Sequence, residues 1–594
     1  MSAQQKKSAK QYAHSLYLFI RLLKGQKWKV LFVIFACLVG SVLYTVQPWF
    51  MGNAIDNIVA LIAENDFADI DFAMEMTAIL KPIILILIAA ALSWVFSYIA
   101  ERIMADVSEQ TALQLRKQVS HKLTRLPLRF YDQTKVGELL SMTSTDIDKI
   151  SEILVIGFNQ FMLAFFDLIC GVVIMLYISP LLTLIVLAVL AVSLTTTYFI
   201  SKANQKAFNK NLATLAEYNA VSEELYSGAV LIKAFNTQKA SEEKIRAANE
   251  KQYKAHLKAQ FMNYVIYPVI RIINQAAFII SALVGAIMVI QGKMTLGVVQ
   301  AYLQYVSQVS EPVTQFSFVV NYLQAALAAV ERVSEILEAE EETAEPENPV
   351  VLDQPKGEIE FRHVSFGYLP GKTLMKDVSF TAKANQTIAV VGPTGAGKTT
   401  LVNLLMRFYE VNDGQILFDG KSTQKMTRQY LRSLLGMVLQ DTWLFKGTVA
   451  ENIAYGKKDA TREEIVAAAQ LAQCDSFIRT LPDGYDTIIS SEQSVLSQGQ
   501  QQLLTIARAT LANPNVMILD EATSSIDTIT EGRIQKALAE LMKNRTSFII
   551  AHRLSTIRNA DLILVMREGD IIETGTHEEL LSWDSFYSKL YRAK

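Results

Sequence analysis

The stretch Thr387-Ile-Ala-Val-Val-Gly392-Pro-Thr-Gly-Ala-Gly397-Lys398-Thr-Thr400, followed by Leu401-Val-Asn-Leu-Leu-Met-Arg-Phe-Tyr409, decides how the second half of the chain folds. A short β-branched run opens it, a glycine loop interrupts it, and an apolar helical pattern closes it. That order of strand, loop and helix is the context in which a Gly-x-x-x-x-Gly-Lys-Thr loop cradles phosphate. Backbone amides of Gly392, Thr394, Gly395, Ala396, Gly397 and Thr400 are expected to converge there at a helix start. Lys398 would reach the outer phosphates and the Thr399 hydroxyl would hold Mg²⁺, so ATP and Mg²⁺ are the expected ligands.

Downstream, Val516-Met-Ile-Leu-Asp520-Glu521 reads as a buried strand ending in two carboxylates. Asp520 is expected to hold Mg²⁺ and Glu521 to polarise the attacking water, while His552, directly after Ser547-Phe-Ile-Ile550, would contact the γ-phosphate. Runs such as Glu358-Ile-Glu-Phe361 alternate with helical segments, as in an α/β domain.

Ahead of this lies a different composition. The 594-residue chain is 51% hydrophobic, and apolar runs of spanning length occupy Val30–Phe50, Ile79–Ala100, Ile153–Ile178, Leu181–Ser201, Phe261–Ile290 and Leu296–Val319. About 20 residues cross a hydrocarbon core of roughly 30 Å, which predicts six spanning helices in a lipid bilayer. The first run is too long for a signal-peptide core and lacks a small-residue cleavage site, so it is expected to be retained. The segment Gly52–Leu80 carries six acids and no Lys or Arg, whereas the stretches Arg102–Lys149 and Lys202–Lys258 are rich in both. This asymmetry predicts both termini and the α/β domain on the cytosolic side of the cell membrane. Those basic stretches read as helices running well past the bilayer. The expected division is a membrane domain over 1–337, an acidic, proline-punctuated linker over 338–356, and a nucleotide-binding domain over 357–594.

A net charge of −2 argues against nucleic acid as a partner. Cys37, Cys170 and Cys474 are too scattered for a disulfide framework or a metal site.

With Leu496-Ser497-Gln498-Gly499-Gln500 between the phosphate loop and Asp520, the chain resembles the ATP-binding cassette exporters, half-transporters with six spans and one cassette. The resemblance implies that Tyr368 stacks on adenine and that Gln440 meets both Mg²⁺ and the membrane domain. It also implies that Ser497, Gln498, Gly499 and Gln500 touch the nucleotide of a second subunit and that Asp527 lies in the loop between subunits. Phe130-Tyr-Asp132 with Gly137-Glu138, and Tyr226–Ala229 with Lys233-Ala-Phe235, resemble the two coupling segments.

The family pattern is Leu-Ser-Gly-Gly-Gln, and Gln498 replaces its first glycine. A side chain there would intrude where backbone approaches phosphate. Ser490–Ser494 also departs from the family pattern. Because Lys398, Gln440, Asp520, Glu521 and His552 are all kept, the resemblance implies a heterodimer with one competent and one degenerate site. The expected cargo is a hydrophobic or amphipathic small molecule of multidrug type, with lipid flipping or peptide export as alternatives and an ATP-gated channel or regulator behind them. Asp167, Arg271 and Glu311 are ionisable residues in or near apolar spans, and Phe161, Phe165, Tyr264, Tyr302, Tyr305 and Phe316 are candidate cavity aromatics, with packing or lipid contact as the alternative for each.

Overall fold

The computed structural model describes residues 17–19, 21–64, 72–369, 371–440, 442–489, 496–520, 527–550, 557–583 and 585–592, apart from the side chains of 63–64, 72–76, 78 and 313–325. Two compact units result: residues 1–124 with 136–339, and residues 125–135 with 340–594.

The first unit is entirely helical. Its long elements are Lys27–Glu64, Phe72–Leu123, Phe158–Ile178, Pro180–Ser227, Gln238–Ile290 and Leu296–Glu338. Five helical stretches among the described residues are long and apolar enough to cross a membrane. The sixth expected span, Leu296–Val319, falls on helix Leu296–Glu338, part of whose apolar stretch lies outside the described side chains. Three of these helices have 52, 48 and 53 residues. At 1.5 Å per residue each is about 70–80 Å long, more than twice a hydrocarbon core, as the basic inner stretches led one to expect.

Two polar contacts fix helix register inside this unit. Asp146 is fully buried and takes both Nε and Nη2 of Arg332 at 2.7 Å, a paired geometry that ties helix Thr145–Glu152 to helix Leu296–Glu338. At the end predicted to face outward, Asp56 accepts from the Gly297 amide at 2.7 Å and the Thr295 hydroxyl at 2.6 Å. Gly297 has no alternative there, because an added Cβ would sit 2.0 Å from the Gly52 carbonyl oxygen.

The second unit is α/β. Its main sheet runs Asp570–Gly575, Leu562–Arg567, Thr387–Val391, Thr546–Ile550, Val516–Asp520, Leu435–Val438, parallel except for the first strand. Alternation along each strand sorts its residues onto two cores. Ala389, Val391, Leu519, Ile549 and Val565 face helices that include Gln498–Ala512 and Thr528–Met542. Ile388, Val390, Ile518, Phe548 and Leu564 face Lys398–Leu405 and a smaller antiparallel sheet of Met375–Ala382, Ile359–Phe366, Asp413–Phe418 and Lys421–Ser422. A parallel sheet covered on both faces is why these strands read as unbroken apolar runs.

The stretch expected to be a linker is docked instead. Buried Arg428 binds the Thr343 carbonyl at 2.8 Å and the carboxylates of Glu345 and Glu410 at 3.3 and 2.7 Å. The Val350 amide donates to Lys425 O at 2.8 Å, and the Leu352 amide to the Tyr430 hydroxyl at 2.9 Å. The acidic composition that argues against a core also supplies charges for one distant arginine.

Phe548 is fully buried at the sheet centre and meets Phe380 edge-on at 6.3 Å. Phe548→Ala is expected to cost about 3–5 kcal/mol, measured as a lowered denaturation midpoint of the α/β unit.

Candidate functional site

Strand Thr387–Val391 hands the chain directly to the glycine loop. Gly392 cannot carry a side chain, since a Cβ would meet the Met566 carbonyl oxygen at 2.3 Å. Gly397 precedes helix Lys398–Leu405 with φ of +101°, a left-handed conformation that favours glycine. Lys398 is 9% exposed, and its ammonium donates to the carbonyls of Gly392 and Pro393 at 2.8 and 3.0 Å. The lysine thus spans the loop that its own helix closes. Thr394, Gly395 and Thr399 are exposed, whereas Ala396 and Thr400 are buried beneath them.

Other candidate residues gather on the same edge of the sheet. Asp520 ends its strand and is directly opposite Ile550, while Ile550 pairs with Val390 beside the loop. Gln440 follows strand Leu435–Val438, whose last residue pairs with Leu519. The carboxyl ends of four adjacent parallel strands therefore converge, the place where open α/β sheets bind ligands. Glu521 and His552 lie outside the described residues, as do Ser490–Ser494.

Tyr368 is half-buried beside the loop, with its hydroxyl 3.0 Å from the Thr400 hydroxyl. Ser497 caps helix Gln498–Ala512 through a reciprocal pair: its hydroxyl accepts from the Gln500 amide at 3.3 Å, and its own amide donates to Gln500 Oε1 at 2.9 Å. Gln498 is the first helical residue and is exposed, while Gly499 is buried. Asp527 caps helix Thr528–Met542 by accepting from the amides of Ile529 and Thr530 at 3.1 and 2.9 Å. Those amides, Thr530 foremost, hold its carboxyl below the usual carboxylate range.

Residues 30–313 match the model of the ABC transporter transmembrane region, and residues 375–524 match that of the ABC transporter. The chain belongs to the ABC transporter family. It is 44% identical over 524 residues to a fatty acid ABC transporter ATP-binding/permease protein of Mycobacterium bovis, covering 88% of this chain and 82% of that one. An uncharacterized ABC transporter ATP-binding protein of Bacillus subtilis, YfiC, is 38% identical over 593 residues, covering 100% and 96%. A putative multidrug export ATP-binding/permease protein of the same organism is 35% identical over 479 residues, covering 80% and 82%. The protein is thus an ABC exporter half-transporter, a multi-pass membrane protein whose α/β domain binds ATP and hydrolyses it to drive transport.

Within the exporter's helical unit, Asp167 and Glu311 line one cavity of about 250 Å³, with Gly40, Ser41, Tyr44, Ser93, Ser97 and Gln308 among the other lining residues. The Ser41 hydroxyl donates to Asp167. Arg271 is exposed and does not line this cavity. Tyr302 and Tyr305 are fully buried in an apolar cluster with Met175, Leu182 and Val186, where they pack the helices. Phe161 and Phe165 stack on each other at 6.1 Å and are exposed, as is Tyr264; Phe316 lies outside the described side chains.

Sequence reasoning missed Tyr409, whose ring stands edge-on to Tyr368 at 5.0 Å. Its only local signal is an aromatic and charged turn, Arg407-Phe-Tyr-Glu410, where the loop's helix ends.

With Lys398 meeting phosphate as the sequence leads one to expect, Lys398→Ala would remove a charge-assisted contact of about 1.5–3 kcal/mol. ATP is expected to bind about ten- to a hundredfold more weakly in an equilibrium binding measurement.

Proposed function

We propose that this half-transporter exports cationic amphiphiles of multidrug type, paired with a second half-transporter in the cell membrane. The cavity at Asp167 and Glu311 carries the cargo reading. Two carboxylates and several hydroxyls among apolar helices favour a protonated amine, and about 250 Å³ is smaller than a typical pocket for a whole drug-sized ligand, so a headgroup fits it better. The name of the putative multidrug export relative agrees. A second reading, fatty acid export, is favoured by the name of the Mycobacterium relative; a carboxylate headgroup is the charge this cavity repels.

The domains are taken as 1–337 for the membrane, 338–356 for the docked connection and 357–594 for the ATPase, with the ATPase and both termini cytosolic, as the distribution of Lys and Arg supports. At the nucleotide, Lys398 and the amides of Gly392, Thr394, Gly395, Ala396, Gly397 and Thr400 hold phosphate, Tyr368 stacks on adenine, and Thr399, Gln440 and Asp520 hold Mg²⁺. Their oxygen donors suit that hard ion, which keeps most of its shell from phosphate and water. Glu521 orients the attacking water and His552 the γ-phosphate.

Two features support a partner chain. Ser497, Gln498, Gly499 and Gln500 sit at a helix start whose dipole suits phosphate, with Asp527 at the next helix start. The short helix Ala229–Ala234 and its flanks leave Tyr226 81%, Val230 79% and Phe235 75% exposed, an apolar surface that one chain alone does not cover. Gln498 in place of glycine supports a heterodimer in which the second chain supplies the regular signature.

Purified alone, the chain is expected to turn over ATP slowly and to gain activity with its partner. Robust turnover by the chain alone, abolished by Glu521→Gln, would overturn the heterodimer. In inside-out vesicles, Asp167→Asn and Glu311→Gln are each expected to lower ATP-driven uptake of the cationic dye ethidium about tenfold while sparing a fluorescent fatty acid. The reverse pattern would favour the second reading.

A further inference from the structure

The turn Arg407–Glu410 joins the nucleotide site to a segment distant in sequence. Arg407 has φ of +52° and a 6%-exposed side chain that donates to the carbonyls of Thr423 and Met426 at 3.2 and 2.9 Å and to Glu410 at 2.9 Å. Arg432 lies over the Phe408 ring at 5.1 Å. With its neighbours held, Tyr409 has little freedom to turn away. One side of its ring meets Tyr368 at 5.0 Å and Phe366 at 5.7 Å, both edge-on or nearly so. Its hydroxyl donates to the Asp132 carboxylate, on helix Leu128–Gln133. Burial, reinforced by that carboxylate, pushes the Tyr409 phenol up, so it stays a proton donor at any physiological pH.

The segment 125–135 belongs to the same compact unit as the ATPase fold, and its start is also tied there. The Glu342 amide donates to the Arg125 carbonyl at 3.0 Å, and Arg125 pairs with Glu341 at 3.7 Å. Those contacts lead to the docked connection. The Tyr409–Asp132 bond instead leads, through Tyr368 and its 3.0 Å contact with Thr400, into the phosphate loop's helix. If this contact only filled space, phenylalanine would serve; a hydroxyl aimed at a carboxylate specifies position.

We propose that Tyr409 and Asp132 are a positioning pair that transmits the occupancy of the adenine-facing Tyr368 site to the segment 125–135. ATP stacked on Tyr368 restrains that ring, the restrained ring fixes Tyr409, and the hydroxyl–carboxylate bond then holds the segment in the orientation needed for turnover. The proposal rests on the nucleotide reading of Tyr368 and is independent of the cargo.

The test measures ATPase kinetics in liposomes, with the full-length chain in whichever dimer hydrolyses ATP. Tyr368→Ala is expected to raise KM for ATP about fivefold, whereas Tyr409→Phe and Asp132→Ala leave KM within about twofold and lower kcat about fivefold. Asp132→Asn, which keeps an acceptor oxygen, should retain more activity than Asp132→Ala. The Tyr409→Phe/Asp132→Ala double variant should be no slower than the slower single variant. Wild-type kcat in Tyr409→Phe, or single losses that multiply in the double variant, would overturn the pair. An unchanged KM in Tyr368→Ala would overturn its link to adenine, whatever the exporter carries. If Tyr409→Phe does not fold, Asp132→Asn against Asp132→Ala decides: equal kcat values overturn the proposal.

Discussion

Everything at the nucleotide site depends on one constraint: the main sheet of the α/β unit is parallel and buried on both faces. Burial leaves its strands no polar outlet along their length, so the groups that do chemistry gather where the strands end. Val391 opens into the glycine loop, Asp520 closes its own strand opposite Ile550, and Val438 leads to Gln440. The loop can lie close over this edge because Gly392 presents no Cβ to the Met566 carbonyl. Lys398, bonded to two carbonyls of the same loop, holds its cation where phosphate would sit.

The helical unit solves the opposite problem. Its helices satisfy their own backbones, so register must come from side chains and close approaches. Asp146 with Arg332 sets it toward one end, and Asp56 with Gly297 and Gly52 at the other. Between them lies the acidic cavity of Asp167 and Glu311. Within it the Ser41 hydroxyl donates to Asp167, so that carboxylate also ties two helices together.

Local pattern made some features legible and left others hidden. The strand, loop and helix around Lys398 were readable because each residue type there answers to backbone geometry within a few positions. Asp520 was readable as the polar end of an apolar run, and the long helices as basic stretches that continue the apolar runs. Tyr302 and Tyr305 could be read either as cavity aromatics or as packing residues, because nothing local separates a buried ring from a lining one; both are packed. The docking of the acidic connection depends on Arg428, and the role of Tyr409 on Asp132, 277 positions earlier. Such pairings exist only once the chain has folded, and no periodicity announces them.

The central claim is that ATP is held by the glycine loop on the carboxyl edge of the parallel sheet. Counting bound ATP per chain by equilibrium dialysis, for the wild type and for Gly392→Ala, tests it most directly. One nucleotide per wild-type chain and none on Gly392→Ala is the predicted result, because the added methyl would have to displace the loop from Met566. Full occupancy of Gly392→Ala at wild-type affinity would contradict the account.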